Sequence, residues 1–153
     1  MEAISSDVSR RTLFMAGSAG ALALAGFAGG AQAASSTAAE KANLKLVTEF
    51  CNSWNDPDKA ATLLAPDSSV RMMEDAPPLI GPAAFTKTSK DYMGNGTKIS
   101  VKILHTFTKG PVVVTVRVDT ITMVGKPDQV FKVVGVFVVK NSLIKEWTDY
   151  IEA

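Results

Sequence analysis

From Glu40 onward the apolar residues Leu44, Val47, Cys51 and Trp54 recur at three- and four-residue steps, the spacing of one stripe along a helix. Lys41, Lys45 and Glu49 fall on the other side, so the pattern predicts an amphipathic helix ending near Asn55. Asp56-Pro57 reads as a second helix start: the carboxylate caps free N–H groups and proline takes the first turn. Ala60 to Ala65 continue that helix until Pro66. A short strand over Val70–Met73 then leads into Asp75-Ala76-Pro77-Pro78, which reads as loop or sheet edge. Gly81-Pro82 opens a third helix, running through Phe85 to about Tyr92 and closed by Gly94-Asn95-Gly96.

After Gly96 the texture changes to long β-rich runs: Lys98–Phe107, Val112–Met123, Gln129–Lys140 and Leu143–Ile151. Lys109-Gly110-Pro111, Gly125-Lys126-Pro127-Asp128 and Asn141-Ser142 separate them, and connections this short imply antiparallel neighbours. Helices first and a meander last predict an α+β fold in which a curved antiparallel sheet wraps around three N-terminal helices. That much sheet has more apolar surface than three short helices can cover, so a homodimer is expected. No internal repeat, low-complexity tract or phosphate-binding glycine loop is present.

The N-terminus reads differently. Ser9-Arg10-Arg11-Thr12-Leu13-Phe14-Met15, a Gly/Ala/Leu stretch and Ala31-Gln32-Ala33 resemble the three parts of a twin-arginine signal. Five glycines in the stretch and no basic flank after it argue against a transmembrane helix. Residues 1–33 are therefore expected to be a signal peptide read by the twin-arginine translocase, 34–39 a small polar linker, and 40–153 one domain working in the periplasm or outside the cell.

Charge is balanced, with 16 Lys and Arg against 15 Asp and Glu, a formal net charge of +1. No basic cluster offers a footprint for nucleic acid. The single cysteine, Cys51, excludes an intrachain disulfide and reads as a buried packing residue rather than a nucleophile. His105, the only histidine, lies on the Ile99, Val101, Ile103 and Phe107 face and reads as a core histidine. It has no histidine or cysteine partner at metal-ligand spacing, so no metal and no cofactor are expected.

Candidate chemistry sits on two strands. In the second long run, Val113, Thr115, Arg117, Asp119, Ile121 and Met123 share one face and Val112, Val114, Val116 and Val118 the other. On that strand alone the valines could face the core and leave Arg117 and Asp119 a solvated ion pair. The last strand argues the opposite way, because Leu143, Lys145, Trp147, Asp149 and Ile151 place Asp149 on the more apolar side, with Ile144 on the other. A carboxylate buried there needs a cation, a proton or hydrogen-bond donors, and Arg117 can hold two carboxylates with its planar fork. Asp, Arg and Asp in one apolar cavity would handle protons: repulsion raises one carboxyl's proton affinity while the arginine keeps the other ionised.

The runs Arg117-Val118-Asp119, Val134-Gly135-Val136-Phe137 and Trp147-Thr148-Asp149-Tyr150, with the Ala-Pro-Pro-x-x-Gly loop at 76–81, resemble limonene-1,2-epoxide hydrolase and its relatives. The resemblance spans nearly the whole domain. It implies the cone-shaped α+β fold shared with nuclear transport factor 2, ketosteroid isomerase and the SnoaL-like polyketide cyclases. By position, Asp119 would be the acid protonating the epoxide oxygen, Asp149 the base taking a proton from water, and Arg117 the bridge that orients both. Homodimers are implied as well.

One departure stands out. The family holds the attacking water with a tyrosine and an asparagine on the strand before the Pro-Pro loop, and counting back from Gly81 places Arg71 and Met73 there. Met73 cannot donate a hydrogen bond, and Arg71 would bring a second cation that weakens Asp149 as a base. Either Asp75 or Tyr92 substitutes, or water activation is lost. The expected partner is a small hydrophobic substrate in a cavity walled by Trp147, Phe137, Met73, Arg71 and Ile121. The expected activity is one-step addition of water to a small apolar epoxide; the alternative is a non-hydrolytic isomerase, cyclase or ligand-binding protein of the same fold.

Overall fold

The computed structural model describes residues 36–152, and the first of its elements is set by a reciprocal cap. The Thr37 hydroxyl accepts from the Glu40 N–H at 3.1 Å, and the Glu40 carboxylate accepts from the Thr37 N–H at 2.8 Å. Helix α1 (Ala38–Asn52) follows, so Ala38 and Ala39 belong to the helix rather than to a linker. The expected signal peptide at 1–33 and the first residues of that linker lie outside the described residues. The helix ends before Trp54, but Trp54 still packs into the core from the turn that follows.

Helix α2 (Pro57–Ala61) starts as expected on Asp56, whose carboxylate accepts from the Lys59 N–H at 3.1 Å. It is shorter than the alanine run suggests, because strand β1 (Leu64–Arg71) begins at once. Pro66 lies inside β1 rather than ending a helix. It falls in the stretch between Leu64 and Ser69 where the pairing register shifts, so its missing N–H costs no ladder bond. Strand β2 (Leu79–Ile80) pairs with Ser69 and Val70 and hands over to helix α3 (Gly81–Met93). Gly81 has φ of +78°, and a Cβ there would stand 2.8 Å from the Pro66 carbonyl oxygen, so only glycine fits.

Strands β3 (Lys98–Lys109), β4 (Val112–Thr122), β5 (Gln129–Lys140) and β6 (Leu143–Ile151) form the meander. The sheet order is β2-β1-β6-β5-β4-β3, and every pairing is antiparallel except β1 with β6. The fold is α+β, helices followed by a curved, unclosed sheet, as expected; the parallel β1–β6 pair corrects the wholly antiparallel reading.

Two register shifts decide which side chains face inward. Between Ile103 and His105 the β3–β4 register slips, so Ile99, Val101 and Ile103 pack on the core while His105 and Phe107 point outward. His105 is therefore an exposed surface residue and not a core histidine. The second shift, at Val138 and Val139, leaves Lys145 as the extra residue of β6. It turns Ile144, which alternation placed opposite Trp147, into a fully buried core residue beside it.

Phe50 of α1 sits at the centre of the core. Its ring centroid lies 5.2 Å from Trp147, 5.6 Å from Phe85, 6.2 Å from Phe137 and 6.3 Å from Trp54, mostly edge to face. This aromatic plug closes the floor of the cavity between helices and sheet.

Candidate active site

Inward-facing residues of three adjacent strands build the site. Register aligns Thr115 of β4 with Gly135 of β5 and Asp149 of β6, while Arg117 and Asp119 follow along β4. The β4 face carrying Arg117 and Asp119 is the buried one, and the valines at 112, 114, 116 and 118 are half-buried on the outside. Arg117 is completely buried, Asp119 is 5 % exposed and Asp149 4 %.

The guanidinium uses all three nitrogens. Nε donates to both oxygens of Asp119 at 3.0 Å, Nη1 donates to the Thr115 hydroxyl at 3.2 Å, and Nη2 donates to Oδ2 of Asp149. The other Asp149 oxygen accepts from Trp147 Nε1 at 2.6 Å. Above the fork, Arg117 Cζ lies 4.9 Å from the centroid of the Trp54 ring. A charge held out of water at this depth persists only when so fully paired.

Gly135 makes the bridge between β4 and β6 sterically feasible. A Cβ there would collide with Arg117 Nη1 and lie 2.9 Å from both Asp149 Oδ1 and Phe137 Cε2, so the arginine crosses β5 only where that strand has no side chain. A glycine inside a valine-rich strand is a sequence signal for close approach, and Gly135 offered it.

Burial raises Asp149 from the ordinary carboxylate value to about 6, against the opposing pull of the Arg117 charge and the bonds from Arg117 and Trp147. Burial also raises Asp119, again opposed by Arg117. Burial works against the charge of Arg117, but Asp149 first and Asp119 after it outweigh that, and the net shift is upward. Cys51, on α1 behind the site, is pushed up to about 12 by burial, which leaves it a packing thiol.

Asp119 and Asp149 open onto one cavity of about 250 Å³. Its floor is Trp54, Phe85 and Trp147, and its walls include Ile99, Ile121, Phe131, Val133 and Ile151. Met72, Met73, Ser89, Tyr92 and Met93 complete the side formed by β1's end and α3. Trp147, Met73 and Ile121 therefore line the cavity, whereas two other expected wall residues do not. Phe137 is fully buried behind Trp147, its ring parallel to the indole at 5.8 Å, because the row below Gly135 and Asp149 belongs to the core. Arg71 turns away and donates Nη1 to the Ala76 carbonyl at 3.0 Å, holding the Pro-Pro loop and adding no second cation to the cavity. Of the two suggested substitutes, Tyr92 lines the cavity and Asp75 does not.

Trp54 and Ser89 are wall residues that pattern reading did not single out for the site. Trp54 reads as the last member of a helical core stripe, and its Nε1 is buried without a hydrogen-bond partner. Among the described residues, no group of three or more His, Cys, Asp or Glu is placed to hold a metal ion.

Comparison with solved structures identifies the same architecture in several proteins. An epoxide hydrolase from M. tuberculosis of the limonene-1,2-epoxide hydrolase-like type is 24% identical, with 74% of this chain and 84% of that chain covered at a TM-score of 0.67. A polyketide cyclase candidate from Xanthomonas campestris is 21% identical, with 74% and 92% covered at 0.64. A protein of ketosteroid isomerase-like fold from Catenulispora acidiphila is 17% identical, with 69% and 84% covered at 0.63. At these identities the likeness establishes the fold. No curated protein sequence matches the chain significantly. The family model described as the limonene-1,2-epoxide hydrolase catalytic domain matches residues 41–153, and the chain belongs to that family.

Proposed function

We propose that the protein adds water to a small apolar epoxide by acid and base catalysis in one step. The observation that carries this reading is a single buried arginine with a carboxylate at each end, both carboxylates opening onto one closed-floored apolar cavity. Asp149, with a proton affinity near 6, is ionised at neutral pH and suited to take a proton from water. As that water oxygen attacks a ring carbon, the carbon–oxygen bond of the epoxide breaks. Asp119, whose two oxygens share one Nε–H and so keep lone pairs free for a proton, delivers its proton to the departing oxygen. The product is a diol, and proton exchange with solvent after its release restores Asp119 to the acid form and Asp149 to the base form.

Substitutions Asp119→Asn, Asp149→Asn and Arg117→Gln should each slow hydrolysis by at least the ~10²-fold of a positioned acid or base. A double variant should lose little more than the worse single one, because the three act as a unit. In a single turnover in heavy-oxygen water the label should enter the diol; label in a carboxylate of the protein would overturn direct water attack.

A specific observation favours a second reading. Met73 lines the cavity, and Arg71, at the other position where the family holds its water, faces elsewhere. Without a held water the same pair would suit an isomerase, a cyclase or a binding site. If no epoxide in a broad panel is opened while small terpene-like ligands raise the melting temperature, this second reading prevails. Hydrolysis appearing in Arg71→Tyr with Met73→Asn would then localise the defect to the water site.

A further inference from the structure

Attack by water requires a second group beside the base, to hold the molecule with a lone pair aimed at carbon. Phe85, Ser89, Tyr92 and Met93 form one stripe of α3 along the cavity. The direction of that stripe relative to β6 follows from three contacts. Gly81, at the start of α3, abuts Pro66 near the start of β1, and β1 runs parallel to β6 with Val70 beside Trp147. Phe85 touches Trp147 at 6.4 Å between centroids. Met93 and Ile151, the far ends of α3 and β6, both line the cavity.

Helix and strand thus climb the cavity in the same direction. Four helical residues rise about 6 Å and two strand residues about 6.6 Å. From the Phe85–Trp147 contact upward, Ser89 and Asp149 therefore stand at one level on facing walls. Ser89 is 4 % exposed and lines the cavity, and its hydroxyl, bonded to no other described residue yet not sealed off as Trp54 Nε1 and Ser68 Oγ are, is open to that cavity. It does not bond back to the carbonyl four residues earlier, as the Ser53 hydroxyl does to Glu49 at 2.8 Å. A hydroxyl that faces an apolar cavity finds its hydrogen-bond partner in a water or ligand held there.

We propose that Ser89 is the second holder of the nucleophilic water, receiving it from across the cavity while Asp149 accepts its proton. The proposal rests on the hydrolase reading and gives the Ser89 hydroxyl the place that Met73 cannot fill. Tyr92, half-exposed one turn further out, is too far toward solvent for an enclosed water.

Two measurements on the whole protein test this. A high-resolution crystal structure should show an ordered water within about 3.2 Å of both Ser89 Oγ and the Asp149 carboxylate, and Ser89→Ala should lose it. In epoxide hydrolysis, Ser89→Ala should lower kcat at least tenfold with KM within twofold, while Ser89→Thr, which keeps a hydroxyl, retains most activity. Absence of the shared water in the unsubstituted protein, or a Ser89→Ala kcat within twofold of it, overturns the proposal and leaves the hydrolase reading standing. A shared water in a protein that opens no epoxide does the reverse: the water site stands and the hydrolase reading falls.

Discussion

Asp149 is nearly buried between Trp147 and Ile151 and meets water only through the cavity, and its titration links activity to folding with opposite signs. Its folded-state value of about 6 lies above the ordinary 3.8, so between those limits the folded protein holds a proton that the unfolded chain has released. Stability contributed by this group is therefore fully present below about pH 4 and is lost as pH rises through about 6. About two pKa units at ~1.36 kcal/mol each set a ceiling of about 3 kcal/mol on the change. Hydrolysis should rise over the same interval as the base ionises. Denaturant unfolding at pH 4.5, 5.5 and 6.5 should show the unsubstituted protein losing stability relative to Asp149→Asn as pH increases. Taking the difference between the two proteins removes the opposite trend from Glu40 and Asp67, whose carboxyls are held low by the Gly110 backbone N–H and by Lys145 respectively. Parallel curves would show that Asp149 titrates normally. At this scale the grouping of Asp119, Arg117 and Asp149 was legible, because period-two alternation puts Arg117 with Asp119, and Trp147 with Asp149, on single faces. Ser89 was not legible: a serine within a polar-looking helix carries no mark until Phe85 and Met93 are seen against the cavity.

At the scale of the elements, β5 acts as the span over which the site is assembled. Gly135→Ala should destabilise the protein by about 1–3 kcal/mol, the usual cost of overpacking, and should also abolish hydrolysis by pushing the guanidinium off Asp149. Chemical denaturation and activity assays check both, and an alanine variant that stays fully active would show that the arginine has another route across. The meander itself was readable from its glycine, proline and asparagine turns, and β5 and β6 have the bounds that their sequence pattern predicts. The bulges were not readable. Each arises from the register in which two strands pair, as with Val139 against Ile144 across the Asn141-Ser142 turn, and a single inserted residue reverses the faces beyond it. That is why His105 moved outward and Ile144 inward. The parallel β1–β6 pairing is hidden for another reason: β2, α3 and three further strands separate β1 from β6 along the chain.

For the whole molecule, the outer face of the sheet carries two apolar rows. Phe107, Val114 and Val136 stand opposite one another in register, and Val116, Val134 and Tyr150 form the next row. Phe107 is 64 % exposed and Tyr150 48 %, and Thr148 and His105 complete the two rows at their ends. A second copy is the occupant we propose, and a stable pair would bury about 800 Å² on each partner. Light scattering at micromolar concentration should give the mass of a dimer, and Val134→Glu should give a monomer that keeps its fold; a monomeric unsubstituted protein removes the claim. Export is likewise proposed from the paired arginines. Cell fractionation should find the Arg10→Lys, Arg11→Lys precursor retained in the cytoplasm, and continued export would point to another route.

The chain's two tryptophans both belong to the cavity floor, one stacked over the Arg117 cation and the other bonded through its indole N–H to Asp149. All of the protein's indole emission therefore originates beside Arg117 and Asp149. Intrinsic fluorescence becomes an unlabelled optical readout of this one place, in which a bound ligand, a displaced water or a proton arriving on Asp149 each alters the light without any background from elsewhere in the molecule.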